Sequence, residues 1–171
     1  MLSWWRKRSP AGRTATELYG SIVTAARREA FYVRDGVPDT PDGRFALLIV
    51  HMFLAMERLR SEGDAGQTLS RALVEAFVSD MDDSMREMGV GDLSVPKKVK
   101  KAAGALYDCV AAYRAAIEVG DLAEALRATV MPGDAASAAD AVASYMKQAA
   151  AALAAQPAPE ILAGRVAFPD P

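Results

Sequence analysis

The chain has 171 residues, 51% of them hydrophobic and 25% charged, which suits one domain with its own core and leaves little room for a second. A net charge of −2 hides an uneven distribution: residues 1–34 carry +5, 35–93 carry −7, 94–120 carry +3 and 121–171 carry −3. Local patches rather than the total would therefore steer a partner. The single Cys109 excludes an intramolecular disulfide and a multi-cysteine metal site.

The N-terminal segment, residues 1–13, is basic and aromatic. "MLSWWRKRSP" has no apolar stretch after its basic cluster, so it does not read as a secretory signal. Trp4 and Trp5 beside Arg6, Lys7 and Arg8 suit contact with a membrane interface, where indole rings favour the headgroup level. A frayed terminus or docking of the tryptophans on the domain are the competing readings. The longest apolar run, through "FALLIV" and "MFLAM", is interrupted by His51. It falls short of the roughly 20 residues a bilayer demands. The expectation is a cytoplasmic protein, at most peripheral to the inner membrane.

Alternating strand patterns are absent and helical spacing recurs, which predicts an all-α fold: one compact domain of about six helices over 14–155 with an extended Pro-rich tail over 156–171. The first helix is expected from Thr14 to Tyr32, with Leu18, Ile22, Ala26 and Ala30 on one stripe. The second, Pro41 to Arg60, has Thr40 as its cap and is apolar almost all round, which predicts a central, buried helix. The third runs from Gln67 to Met88, and the fourth from Val95 to Glu118 with Val99, Leu106, Val110, Tyr113 and Ile117 facing the core. A fifth begins at Asp121 with Glu124 placed for a capping box. The sixth begins near Asp134 and has twelve alanines in residues 134–155. Alanine supplies helix propensity and little burial, so this helix should dock weakly or lie flat on a neighbour.

Few residues offer catalytic or metal chemistry. Neither a phosphate loop nor a dinucleotide fingerprint occurs. A Cys109–His51 pair is conceivable, but Cys109 sits in an amphipathic pattern where a structural thiol is the ordinary outcome. Asp80, Asp82 and Asp83 fail the calcium-loop pattern, because the positions that need Gly and Glu hold Met85 and Gly91. No catalytic residue, metal ligand or cofactor is assigned.

Two patterns stand out instead. Arg44, His51 and Arg58 recur every seven residues and draw one polar stripe along the apolar second helix. Such groups are costly to bury unless paired, and Asp80 and Ser84 of the third helix are the expected partners. The stripe is either a structural network or the floor of a groove that takes a partner. The second pattern is Lys97, Lys98, Lys100 and Lys101 in the first turns of the fourth helix, an end that prefers acids. Either they pair with Asp82, Asp83 and Glu87 across the turn, which with Asp80 make a structural charged corner, or they form a patch for phosphate groups of RNA or lipid, or for an acidic protein surface.

The blocks "LYGSIVTAARREAFYVRDGVPDTPDGRF", then His51 and Arg58-Leu59, then "DMDDSMREMGVGDLSVPKKVKK" and "AAYRAAI" occur in that order. Across about residues 18–130 the chain resembles the ubiquinol–cytochrome c chaperone family, alphaproteobacterial relatives of the mitochondrial cytochrome b assembly factor. The family pattern carries a Gly-Arg pair where this chain has Asp108-Cys109, so no role tied to that arginine is carried over. The resemblance implies a non-enzymatic assembly chaperone that binds newly made cytochrome b as its client and promotes assembly of the bc1 complex. It implies a small partner subunit and contact with the ribosome or an anionic membrane surface. No cofactor and no DNA are expected. Lys97, Lys98, Lys100, Lys101, Arg44, His51 and Arg58 are the candidate partner-binding residues. The alternative is a lipid- or quinone-like small-molecule binding protein at the membrane.

Overall fold

The structure, a computed structural model, describes residues 9–131 and 133–171; Trp4, Trp5, Arg6, Lys7 and Arg8 lie outside the described residues. The described residues form an all-α domain in which one apolar helix is wrapped by the others. Helix α1 spans Pro10–Ala26. The Ser9 hydroxyl accepts a hydrogen bond from the Gly12 N–H at 3.0 Å, and Pro10 opens the first turn. The helix thus begins four residues before the Thr14 start expected from periodicity. It also stops earlier, and α2 (Ala30–Val33) is a separate short helix. The break buries Phe31 completely and turns Arg28 toward the end of the chain.

Helix α3, Pro41–Arg60, is the central element, with thirteen buried residues. The Thr40 hydroxyl caps it by accepting from the Gly43 N–H at 3.1 Å. Gly43 is required there, because a Cβ would stand 2.0 Å from the Pro38 carbonyl oxygen. Helix α4, Gly63–Glu87, is long and mostly half-exposed, anchored by Leu69, Leu73 and Phe77. Helix α5, Val95–Val119, ends at Gly120, whose φ of 80° makes the left-handed turn. Its core face includes Val99, Leu106, Val110 and Tyr113, while Ile117, expected among them, is exposed and Ala116 takes the inner position. The Tyr113 ring meets Phe53 edge-on at 5.3 Å.

Helix α6, Leu122–Thr129, lacks the expected capping box. The Asp121 side chain makes no cap hydrogen bond, and Glu124 turns to Arg127. A 3₁₀ turn (Gly133–Ala138) leads into α7, Ala139–Ala154. Helix α7 buries Ala139, Ala143 and Ala149 along with Val142, Tyr145, Met146 and Leu153. Alanine here lets the helix lie close on α3, and the larger residues between the alanines supply the apolar area.

The segment 156–171, expected to be an extended tail, contains α8 (Ala158–Leu162) and folds back onto the domain. Ile161 and Phe168 are buried. The Gln156 side chain clasps residue 167, donating to the Ala167 carbonyl at 2.7 Å and accepting from its N–H at 2.9 Å. Arg28 donates to the Phe168 carbonyl at 3.0 Å and to the Pro169 carbonyl, and pairs with Asp170 at 3.4 Å. No helix among the described residues is long and apolar enough to cross a membrane.

Candidate partner-binding surface

The α3 stripe and the α4–α5 corner hold the candidate residues, and they differ in every physical respect. Along the stripe, His51 has no exposed surface. Its Nδ1 lies 2.8 Å from the Leu47 carbonyl and its Nε2 2.9 Å from the Tyr145 hydroxyl. A carbonyl only accepts, so Nδ1 carries the proton and Nε2 accepts from Tyr145. Phe31, Tyr145 and Phe168 surround the ring at centroid distances of 5.5, 5.4 and 5.0 Å. Burial pushes the imidazole down to about 4, and the Arg28 charge adds to this, against the Leu47 carbonyl, which favours the proton. Burial likewise pushes the Tyr145 phenol up to about 12.

Arg58, one helical repeat on, is also enclosed, with its side chain 10% exposed. It donates to the Leu153 carbonyl at 2.9 Å and the Gln156 carbonyl at 3.0 Å, satisfying the last turn of α7. It also donates to Ser61 at 3.0 Å and pairs with Glu62, whose carboxyl it holds below the usual range. Arg44 is on the surface, 61% exposed, and pairs with Asp39 at 2.7 Å. The three residues therefore do not line one groove. The partners expected from α4 are also elsewhere: Asp80 accepts from the Tyr19 hydroxyl at 2.8 Å. His51 and Arg58 make internal contacts, to Tyr145 and to the Leu153 and Gln156 carbonyls at the Ala-rich α7, and Arg44 takes no part in them. Tyr145, Arg28, Gln156 and Phe168 all join this seam. Of these, Tyr145 carried a signal, as an aromatic in a thin apolar stripe.

His51 and Cys109 are not paired, since both imidazole nitrogens are engaged by Leu47 and Tyr145. Cys109 is buried near Tyr113 and Thr129, and burial pushes its thiol up, away from the thiolate.

The corner is built differently. Helix α4 ends at Glu87, Gly89 turns the chain with φ 77°, and Ser94 precedes α5. In the acidic half, Arg86 pairs with Asp82 at 2.6 Å and, across the turn, with Asp92 at 2.6 Å. The expected pairing of lysines with Asp82, Asp83 and Glu87 does not occur. Lys97, Lys98, Lys100 and Lys101 are all exposed, and none joins an ion pair among the described residues. Four unpaired cations thus stand on the positive end of a 25-residue helix, an arrangement helix electrostatics disfavours. Beside them in the turn, Met88 is 69% and Leu93 98% exposed. Tyr107, seven residues beyond Lys100 and hence on the same face, is also exposed.

A cleft of about 500 Å³ lies between α1, α4 and α5. Glu75, Asp80, Asp82 and Asp83 line it, with Tyr19 and Val99. Its carboxylates make it a poor container for an acyl chain or quinone ring.

Fold and surface together define a small all-α protein with a sealed polar seam on one side and an exposed cationic, partly apolar corner on another. A family model described as ubiquinol-cytochrome C chaperone matches residues 34–168. The ubiquinol-cytochrome c reductase complex assembly factor 1 of Mus musculus is 28% identical over 103 residues, covering 60% of this chain and 35% of that protein. Its Xenopus laevis counterpart is 24% identical over 103 residues, covering 60% of this chain and 52% of that protein. The chain thus spans between about a third and a half of the curated relatives it matches. The crystal structure of the Cbp3 homolog from Brucella abortus is 35% identical, with a TM-score of 0.79, covering 99% of this chain and 96% of that one. The chain belongs to the ubiquinol-cytochrome C chaperone family.

Proposed function

We propose that the protein is a non-enzymatic assembly chaperone that binds newly made cytochrome b and promotes assembly of the ubiquinol–cytochrome c reductase (bc1) complex. The observation that carries this reading is the family match across residues 34–168, supported by the similarity of nearly the whole chain to the Cbp3 homolog. The α4–α5 corner is the partner surface in this proposal. Lys97, Lys98, Lys100 and Lys101 supply long-range attraction to an anionic surface, whether ribosome, membrane or a small partner subunit. Met88 and Leu93 supply apolar contact that a water-exposed turn has no internal use for. Arg44, on the surface of the opposite helix start, is a secondary candidate, while His51 and Arg58 act by holding the scaffold.

The test is a deletion strain of the bacterial host, assayed for bc1 spectra and for cytochrome b recovered with the tagged protein. Loss of assembled bc1, restored by the wild-type gene and not by a variant with all four lysines changed to glutamate, is the expected result. Normal bc1 levels in the deletion strain, with no cytochrome b recovered, would overturn the proposal.

A further inference from the structure

The last residues of the chain lie on the seam as a bound peptide would. Among the described residues, no backbone–backbone hydrogen bond holds residues 166–171. Side chains of the domain hold them instead. The Gln156 amide engages both the carbonyl and the N–H of Ala167, at 2.7 and 2.9 Å. The Arg28 guanidinium donates to the Phe168 carbonyl at 3.0 Å and to the Pro169 carbonyl, and meets the Asp170 carboxylate at 3.4 Å. Apart from the contact to Asp170, these bonds go to main-chain atoms that any sequence offers. Val166 and Phe168 pack on the core while Ala167 is exposed, the alternation of an extended chain. Pro169 restricts Phe168 to that conformation. Phe168 is buried and meets the His51 ring edge-on at 5.0 Å, with Phe31 and Tyr145 against the same imidazole.

This strap can leave without breaking a helix. Its anchors are two polar side chains and one aromatic ring. Its pivot is Gly164, at φ 79°, where the chain passes so close to α1 that a Cβ would stand 2.7 Å from the Thr14 carbonyl oxygen. Departure uncovers a groove already fitted with an aromatic wall, a guanidinium and an amide. We propose that this groove is a binding site for a partner's extended peptide segment, one that carries an aromatic residue inward and an acidic residue two positions later, and that residues 166–170 are its built-in competitor. Gln156 and Arg28 hold the main chain of many sequences, the aromatic wall demands the ring, and Arg28 favours the acid. Tethering gives the strap a high effective concentration. A partner's segment therefore binds with an affinity reduced by the fraction of molecules in which the strap is open. The site depends on the seam alone, whichever protein the chaperone serves.

The probe is a fluorescein-labelled synthetic peptide of residues 165–171, RVAFPDP, followed by fluorescence anisotropy against the full chain. Phe168→Ala removes the strap's anchor, and Gly164→Ala pushes the strap off Thr14 without touching the groove. Each should bind the peptide about tenfold or more tightly than the parent does. Arg28→Gln added to either variant should remove most of that gain, and a peptide with alanine at the Phe168 position should bind none of them. Thermal melts establish that each variant is folded at the assay temperature. A second measurement needs no variant: in the parent, the Ala167 amide should exchange its hydrogen by local opening, about a hundredfold or more faster than the buried amide of Val50 in α3. Negligible peptide binding by the parent and the folded variants alike would overturn the proposal, as would Ala167 exchange at the rate of global unfolding. So would dimers in ultracentrifugation that form as the strap is loosened and exclude the peptide, since the groove would then belong to the strap of a second copy.

Discussion

The seam between α3 and α7 and the corner between α4 and α5 begin from the same kind of anomaly. Each places charged or polar residues where elementary rules disfavour them: His51 and Arg58 inside an apolar helix, four lysines on a positive helix end. In the seam, the anomaly disappears on folding. Every polar atom of His51 and Arg58 finds a carbonyl, hydroxyl or carboxylate, and the described residues hold no buried side-chain nitrogen or oxygen without a partner. In the corner, it persists: Arg86 takes Asp82 and Asp92, and the lysines stay exposed, as do Met88 and Leu93 in the turn before them. An anomaly resolved internally marks stability, whereas one left standing is a candidate for a partner. Substitutions that move stability in one region and leave it unmoved in the other are the way to break this distinction.

The largest effect is expected at His51. Replacing it with alanine removes the bonds to Leu47 and Tyr145 and opens a hole among Phe31, Tyr145 and Phe168. The cost should be about 4 kcal/mol, a fall in melting temperature of roughly 8–16 °C for a domain of this size. Calorimetry showing a change below about 2 °C would remove His51 from the seam's structural role.

The same residue predicts a pH window. The folded imidazole is held down to about 4 by burial, while in the unfolded chain it titrates near its ordinary 6.5. Between those values the unfolded state binds the extra proton, so stability rises with pH. The His51 contribution is complete above about 6.5, shrinks as pH falls, and is gone below about 4, a loss of about 3 kcal/mol. Denaturant titrations from pH 7 to 4 should show this slope, and His51→Gln should flatten it above the carboxylate range.

Next in size are the clasps that hold the chain's end. Arg58→Ala would leave the Gln156 carbonyl without its guanidinium donor and the Leu153 carbonyl with only the Gln156 N–H, and Phe168→Ala would uncover one side of His51. Each should cost about 2–3 kcal/mol. Arg58→Lys should recover little, because a single ammonium cannot reach two carbonyls, Ser61 and Glu62 in the same fork. Full rescue by lysine would show that charge alone, rather than the planar geometry, matters there.

These sites also mark how far the fold was legible. Helix α3 was readable from Thr40–Pro41 and its unbroken apolar face, since its local signals and its burial agree. Ser9–Pro10 carries the same cap signature, but the apolar stripe begins only at Leu18, so periodicity alone places the start too late. The break after Ala26 had no signal: "AARREAFYV" contains neither Gly nor Pro, and tertiary packing of Phe31 and Arg28 decides it. The polar stripe was legible from spacing alone, but its partner helix was not. Angular position says which residues face inward and not which neighbour they meet, and the alanines of α7, which suggest weak docking by their small area, permit close approach. At the corner, spacing does not identify the pairs: of the acids expected to meet the lysines, Asp82 is taken by Arg86, four residues on along the same face, which also reaches Asp92.

The smallest expected change in stability is the most informative about the corner. Lys97, Lys98, Lys100 and Lys101 are exposed and join no ion pair among the described residues, so removing their charges breaks no bond. They stand on a positive helix end and repel one another at spacings of three and four residues. Changing all four to glutamate should therefore leave the domain folded, and even raise its stability by a few tenths of a kcal/mol per site. Thermal melts should coincide with the parent or lie a few degrees above it. If the corner is the partner surface, the same variant loses recovery of its partners and fails to restore bc1 assembly. A variant that melts higher and works worse separates binding from folding in one molecule. One that melts several degrees lower would mean the lysines have internal partners after all, and the contrast with the seam would fail.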